Sequence, residues 1–494
     1  MNRRTFLKIT GIGSLSVAAG CTSQPDKTLY SPVRMPEDMV TGKATWYAST
    51  CRECPAGCGI LAKSREGRIT KLEGNPLHPI NRGKLCPRGQ AAIQGLYNPD
   101  RIRSPLLKSQ NQFKPIPYPQ AISILKNRIL ESTGKGDGKI RLMSEMTGKS
   151  LEDLLSRFLH EWHSPPPVIF EPYAYESQKL ANREVFKMEG LPVYRMEKAD
   201  FLLSFGADFL ETWLSPVEYA IKFSQMRQKS IGKGIFFQIA SYQGLTGANA
   251  DRFIFCRPGG KVFIALRLMG ELIHAGKGKY LPKDLLQAMQ KAASIHAADA
   301  MAAASGISEE EYREIRRHLI QAKTPLVLGT STGTPDPDSA ATDMLVNCIN
   351  LILDPALSCF DFHGRHSVER AAKRADLYNL LRDLETGKSE LLFLNQVNPV
   401  FTLSPASHIS ELLRQESLFV VSFSTFMDET AALSDLVIPA AHPLERWDDY
   451  DGHLGNLSLC QPVAGSPLKG VNAGDVILQT FREKSSSFRN FKEF

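Results

Sequence analysis

Beyond residue 139 the hydrophobic positions fall into two alternating patterns. Residues 140–143 read as a short strand, after which Leu151, Leu154, Leu155, Phe158, Leu159 and Trp162 recur at i, i+3, i+4, i+7, i+8 and i+11, the spacing of one buried helix face. Ser308 and Glu311 form a capping box, and the helix it opens carries Tyr312, Ile315 and Leu319 on one side. Residues 325–329, 390–395 and 418–422 read as buried strands. Strands alternating with helices predict α/β layers with mostly parallel sheets, whose open strand C-termini are where ligands sit. Nearer the N-terminus, two short runs within residues 59–74 meet at Glu66-Gly67 and read as a β-hairpin with a glycine turn.

Composition narrows this picture. A chain of 494 residues should form about three compact units, and 43% hydrophobic with 22% charged residues fits neither a disordered tail nor a polytopic membrane protein. The net charge of +7 is too mild to argue for a nucleic-acid partner, and Arg3, Arg4 and Lys8 supply part of it from a segment without acids. Nine cysteines are too few for a disulfide scaffold, yet four of them fall within 36 positions.

Residues 1–20 read as an export signal. Arg3 and Arg4 precede Phe6-Leu7-Lys8, and residues 9–20 form an uncharged Gly/Ser/Ala-rich run, the pattern of a twin-arginine signal peptide. As a helix that run would rise about 18 Å against a hydrocarbon core of about 30 Å, too short for a permanent span. It ends in Val17-Ala18-Ala19-Gly20-Cys21, similar to a lipobox in which Cys21 would be acylated; the alternative is an ordinary cleavage site with an incidental cysteine. Residues 21–43 read as a tether. The expectation is a chain exported by the twin-arginine route and lipid-anchored on the periplasmic side of the cytoplasmic membrane.

Cys51, Cys54 and Cys58 form C-x2-C-x3-C, and Cys86 follows after 27 residues. Three thiolates on one short loop can face a small centre from three sides, and a fourth from a distant segment suits a [4Fe–4S] cubane. A zinc site, which usually draws its ligands as two separated pairs, and disulfides are the alternatives. Export supports the cluster, because the twin-arginine route carries cargo already folded around its cofactor.

Three motifs, TCRECPAGCGI, EGNPLHPINRGKLCPRGQAA and QGLYNPDR, lie within residues 47–101 and resemble the N-terminal iron–sulfur domain of the molybdopterin oxidoreductase family (the DMSO reductase superfamily). Within it the chain is most similar to the polysulfide and thiosulfate reductase branch and to the molybdopterin-like half of the B subunit of alternative complex III. The resemblance continues through Glu176, residues 199–208 and 250–260, Asn395 with residues 396–399, and Glu429-Thr430-Ala431 through Pro439-Ala440-Ala441 to Glu445. It implies a formate dehydrogenase/DMSO reductase-like fold. In it, a small β-rich iron–sulfur domain (44–100) precedes nested α/β domains, domain II from 101–165 and 345–445 and domain III from 166–344, with 446–494 packing back on the body.

The resemblance also implies function. Active members hold molybdenum through a Cys, selenocysteine or Ser between the segments matching Glu176 and Gly206, but residues 177–199 contain no cysteine and, besides Tyr194, only the hydroxyl of Ser177. Nor do the 49 residues after Glu445 match the family's further C-terminal domain. We therefore expect one [4Fe–4S] cluster and no molybdopterin guanine dinucleotide. Arg88 stands where the family has a Lys or Arg beside the cluster, and its expected role is a fixed positive charge. The implied function is an electron-transfer and scaffold subunit of a quinol-linked respiratory complex. Its expected partners are a ferredoxin-like multi-cluster subunit, a polytopic membrane subunit and c-type cytochromes. The alternative is a catalytic molybdenum oxidoreductase for a small sulfur-type substrate, completed by another chain. His363 and His366 form H-x2-H without a companion ligand pair, and Cys256, Cys348, Cys359 and Cys460 read as core thiols, a Cys348–Cys359 disulfide being the alternative.

Overall fold

A computed structural model describes residues 42–134, 138–228, 233–293, 298–331, 337–465, 470–481 and 488–494. The export signal with Arg3 and Arg4, the Cys21 site and the tether up to residue 41 lie outside the described residues.

Three antiparallel strands come first, β1 (Thr45–Thr50), β2 (Gly59–Arg65) and β3 (Arg68–Gly74), in the order β1-β2-β3. Glu66 and Gly67 both have positive φ, 52° and 76°, the two-residue turn whose twist matches a hairpin. Helix α1 (Pro87–Leu96) then packs on β3, its first turn opened by Pro87.

The body is mixed α/β with mostly parallel sheets. A seven-stranded sheet runs in the order Gln112–Pro115, Leu106–Ser109, Leu436–Pro439, Phe419–Ser424, Leu391–Asn395, Ile140–Ser144, Val168–Ile169; its five inner and far-edge strands are parallel, and the 106–115 hairpin adds an antiparallel edge. Tyr118–Thr133, Lys149–Glu161 and Ala473–Leu478 cover one face, burying Leu125, Leu155, Phe158 and Ile477. Arg374–Glu385 and Ile409–Leu412 cover the other, with Leu381, Leu384 and Ile409. Buried on both faces, these strands read as continuous apolar runs rather than alternating ones.

A second, four-stranded parallel sheet (Arg252–Phe255, Ile235–Ala240, Phe201–Ser204, Pro325–Leu328) lies within the sequence span of the first. Two expected boundaries do not match the packing. Val168–Ile169 is the edge of the seven-stranded sheet, so that domain runs past residue 165. Ser339–Leu353 packs against Lys261–His274 of the inserted unit, so the chain does not return at 345. Its buried apolar stripe, Val346, Ile349 and Ile352, is what holds it there. Cys348 and Cys359 are unbridged, so the alternative disulfide is absent. No helix among the described residues is long and apolar enough to cross a membrane.

One ion pair ties the N-terminal unit to the seven-stranded sheet. Arg101 donates Nη1 and Nη2 to Glu445 at 3.0 and 2.6 Å, with side chains 1% and 0% exposed, and Nη1 also donates to the Leu96 carbonyl that ends α1. Removing one partner of such a pair strands the other charge in low dielectric. Glu445→Ala is therefore expected to cost about 3–5 kcal/mol, read as a lowered urea midpoint, and Glu445→Gln less. Nearby, burial, and then Arg101 and Arg446, push the His442 imidazole down to about 3. The folded chain thus binds fewer protons than the unfolded one between that value and the ordinary imidazole pKa of about 6.5, so stability falls as pH drops through this window. His442→Asn, which keeps an acceptor for the Leu444 N–H, should lose about 2 kcal/mol less than the parent between pH 7 and pH 5 in denaturant titrations.

Candidate functional site

The residues between β1 and β2 are the eight of the cysteine loop. Thr50 pairs with Gly59, and Cys51 N–H donates to the Cys58 carbonyl at 2.8 Å, so Cys51, Cys54 and Cys58 occupy one closed hairpin loop. Gly57 in this loop has φ +62°, and a Cβ there would come within 2.7 Å of the Tyr450 ring. Tyr450 in turn donates its hydroxyl to the Pro55 carbonyl at 3.0 Å, and its ring lies 3.6 Å beneath the Arg52 guanidinium. The loop is therefore clamped from the body by a residue about 400 positions away.

Cys86 arrives by a different route. Buried Asn81 accepts from Gly59 N–H at 3.0 Å and donates to the carbonyls of Gly59 and Lys84 at 2.9 and 2.6 Å, stitching the 75–86 segment to the start of β2. Cys86 is the residue before α1, at the end of the helix where the first N–H groups have no partner within it. Gly89 lets that helix close on the loop: a Cβ there would lie 3.3 Å from Cys51 Sγ.

The four cysteines pack in one cluster with Ala56, Ile60, Ala92 and Leu96, all four as free thiols. Burial pushes the Cys51 thiol up to about 12 and the Cys54 and Cys58 thiols upward too, and each resists ionisation further because the others are near. Four thiolates become tolerable here only around a positive core. Among the described residues, the one His/Cys/Asp/Glu trio whose ligand atoms lie within 4.8 Å of one another is Glu218, His366 and His453, so no three of these thiols stand that close. A single tetrahedral zinc, with Zn–S about 2.3 Å, would need sulfurs about 3.8 Å apart. No three of the four thiols thus stand as close together as a single zinc requires.

Arg88, in the first turn of α1, is exposed, donates Nη2 to the Glu211 carbonyl at 3.2 Å and hydrogen-bonds Cys86. Burial opposes its charge, but Cys54, Cys86 and Cys51 hold the guanidinium above its ordinary value.

On the far side of Cys54 a cavity of about 240 Å³ opens at the C-terminal ends of the parallel strands, among them Ile140–Ser144 and Leu391–Asn395. Its polar lining includes Arg52, Glu53, Glu145, Glu171, Gln396 and Asn398. Burial raises Glu53 and Glu171 above the usual carboxylate range. Arg52 is already held between Tyr450 and the Met146 carbonyl. The cavity is below the roughly 300–1,000 Å³ of pockets for drug-sized ligands, and three carboxylates would oppose a diphosphate. This cavity alone is smaller and more acidic than a molybdopterin dinucleotide would need. Ser177, whose hydroxyl stands in the stretch where active members ligate molybdenum, hydrogen-bonds the buried Asp343 carboxylate instead.

The fold and this site define a molybdopterin-oxidoreductase-type body with an iron–sulfur domain at its front. Family models agree: residues 44–98 match the molybdopterin oxidoreductase Fe4S4 domain and residues 101–468 the molybdopterin oxidoreductase domain. The chain belongs to the molybdopterin oxidoreductase family. It is 27% identical over 503 residues to a protein of Nitratidesulfovibrio vulgaris (Hildenborough) named menaquinone reductase, molybdopterin-binding-like subunit, covering 97% of this chain and 71% of the relative. It is 23% identical over 467 residues to the probable oxidoreductase YoaE of Bacillus subtilis (strain 168), covering 84% of this chain and 65% of that one. Acetylene hydratase from Pelobacter acetylenicus shares the fold, with TM-score 0.75 at 14% identity over 90% of this chain and 71% of that one.

Sequence reasoning did not find Tyr450, Arg52 or the three carboxylates. It also missed the helix start at Cys86, although Cys86-Pro87 is a readable signal for one. Gly57→Ala, which forces the Tyr450 ring aside, is expected to cost about 1–3 kcal/mol and lower the thermal midpoint, whereas Tyr450→Phe, losing one hydrogen bond, costs about 1 kcal/mol.

Proposed function

We propose that this chain is an electron-transfer and scaffold subunit of a membrane-associated, quinone-linked respiratory oxidoreductase, holding one [4Fe–4S] cluster on Cys51, Cys54, Cys58 and Cys86 and no molybdopterin. The observation that carries the reading is the pairing of four convergent thiols with an adjoining cavity too small and too acidic for a pterin dinucleotide. The relative named menaquinone reductase, molybdopterin-binding-like subunit supports a quinone-linked setting. The cluster, when bound, supplies one-electron chemistry. The chain's own residues do the rest: the loop of Cys51 to Cys58 and the N-terminus of α1 fix the ligands, and Tyr450 and Leu96 exclude water behind them. Cys54 and Cys86, both half-buried, leave one side open for a redox partner. Arg88 places a positive charge beside Cys86 and raises the potential.

In this reading Arg3 and Arg4 direct export, Cys21 carries the lipid anchor, and the chain works on the periplasmic face beside a ferredoxin-like multi-cluster subunit, a polytopic quinol-binding subunit and c-type cytochromes. One observation favours a second reading, a catalytic molybdenum subunit completed by another chain: the molybdopterin oxidoreductase model spans residues 101–468.

Elemental mass spectrometry on the protein purified from its own host separates the two. Molybdenum far below one per chain, with a dithionite-reduced EPR signal that disappears in Cys54→Ala, is expected; stoichiometric molybdenum would overturn the first reading. Arg88→Ala should shift the cluster potential negative by roughly tens of millivolts while Arg88→Lys holds it near the parent value, a modest effect because the side chain is screened by solvent.

A further inference from the structure

His366, half of an isolated H-x2-H in the sequence, acquires companions in the fold. His366 and His453 face each other across an antiparallel β-bridge, locked by Ser367 N–H to the Gly452 carbonyl at 3.1 Å and Leu454 N–H to the Arg365 carbonyl at 2.8 Å. Their rings stand edge to face at 4.7 Å. Glu218, in the first turn of the helix Pro216–Arg227, points its carboxylate at the pair, and one ligand atom from each of the three residues lies within 4.8 Å of the others. Glu218 and His366 are buried, while the His453 side chain is 13% exposed and gives a way in.

We propose that Glu218, His366 and His453 form a second metal centre, a site of two imidazoles and one carboxylate for a divalent ion of the zinc class.

Two features support this. Glu218 Oε2 and His453 Nε2 already stand 2.9 Å apart, in direct contact with each other, so two of the three donors are together. Donors on a tetrahedral zinc with bonds of about 2.0–2.2 Å stand about 3.4 Å apart, so insertion needs only a small opening. The outer shell is also in place: the Tyr219 hydroxyl meets His366 Nε2 at 2.7 Å and Lys222 Nζ meets the other Glu218 oxygen at 2.8 Å, the partners that orient a metal-binding imidazole and carboxylate.

The site also has an electrostatic reason to bind a dication. Glu218 lies within electrostatic reach of Cys58. If the cluster reading holds, an oxidised [4Fe–4S] core with four thiolates carries a net charge of about −2 in a poorly solvated region. A neighbouring dication would add to Arg88 and Lys222 in offsetting that charge.

The test is zinc and iron content of the complex purified from its own host, with zinc K-edge absorption on the same sample. About one zinc with about four irons per chain, bound by imidazole and oxygen, is expected, and His453→Gln should lower zinc at least tenfold while iron stays. Zinc below a tenth per chain, a zinc shell made of sulfur, or zinc unchanged in both His453→Gln and His366→Gln would overturn the proposal. Zinc that follows these variants in a chain without iron would sustain this site and refute the cluster instead.

Discussion

The arrangement at the front of this protein depends on one constraint: four sulfurs from two chain segments must converge where burial makes the Cys51, Cys54 and Cys58 thiols resist ionisation. The backbone bond closing the loop from Cys51 to Cys58 fixes three of them, and Asn81 with α1 brings the fourth. Neither segment could hold this shape without the body. Tyr450 fills the space left by Gly57, Gly89 admits the helix, and Arg101 with Glu445 pins the end of α1 to the seven-stranded sheet. The small domain is therefore built into the large one rather than appended to it.

The same clamp shapes what lies behind the sulfurs. Arg52 stacks on Tyr450 and reaches the Met146 carbonyl, so this cation of the cavity wall is committed to structure. Glu53, Glu145 and Glu171 then line the space where an α/β sheet ordinarily receives its ligand. The sheet and the cysteine loop of the family are present, and the crevice between them is small and acidic. The site rather than the fold carries the functional reading.

Much of this was legible in the chain. Local patterns carried it: the 3.6-residue stripe from Leu151 to Trp162, the Ser308–Glu311 box and the apolar runs at 325–328, 391–395 and 419–424 are all present. The glycine hairpin at Glu66-Gly67 is present too, because a two-residue turn is specified by its own residues. What stayed hidden is long-range. The antiparallel edge at 106–115 is short and half-polar, and the packing of Ser339–Leu353 on the inserted unit depends on which partner its stripe meets. Tyr450 on Pro55 and His366 beside His453 and Glu218 join residues about 90 to 400 positions apart, and no periodicity or spacing marks such pairs.

The most direct test of the central claim is Mössbauer spectroscopy of the iron-57-enriched chain as isolated from its host. Spectra of a single [4Fe–4S] cluster integrating to about four irons per chain are predicted. A chain without iron, or one whose four cysteines hold a single zinc, would contradict the account.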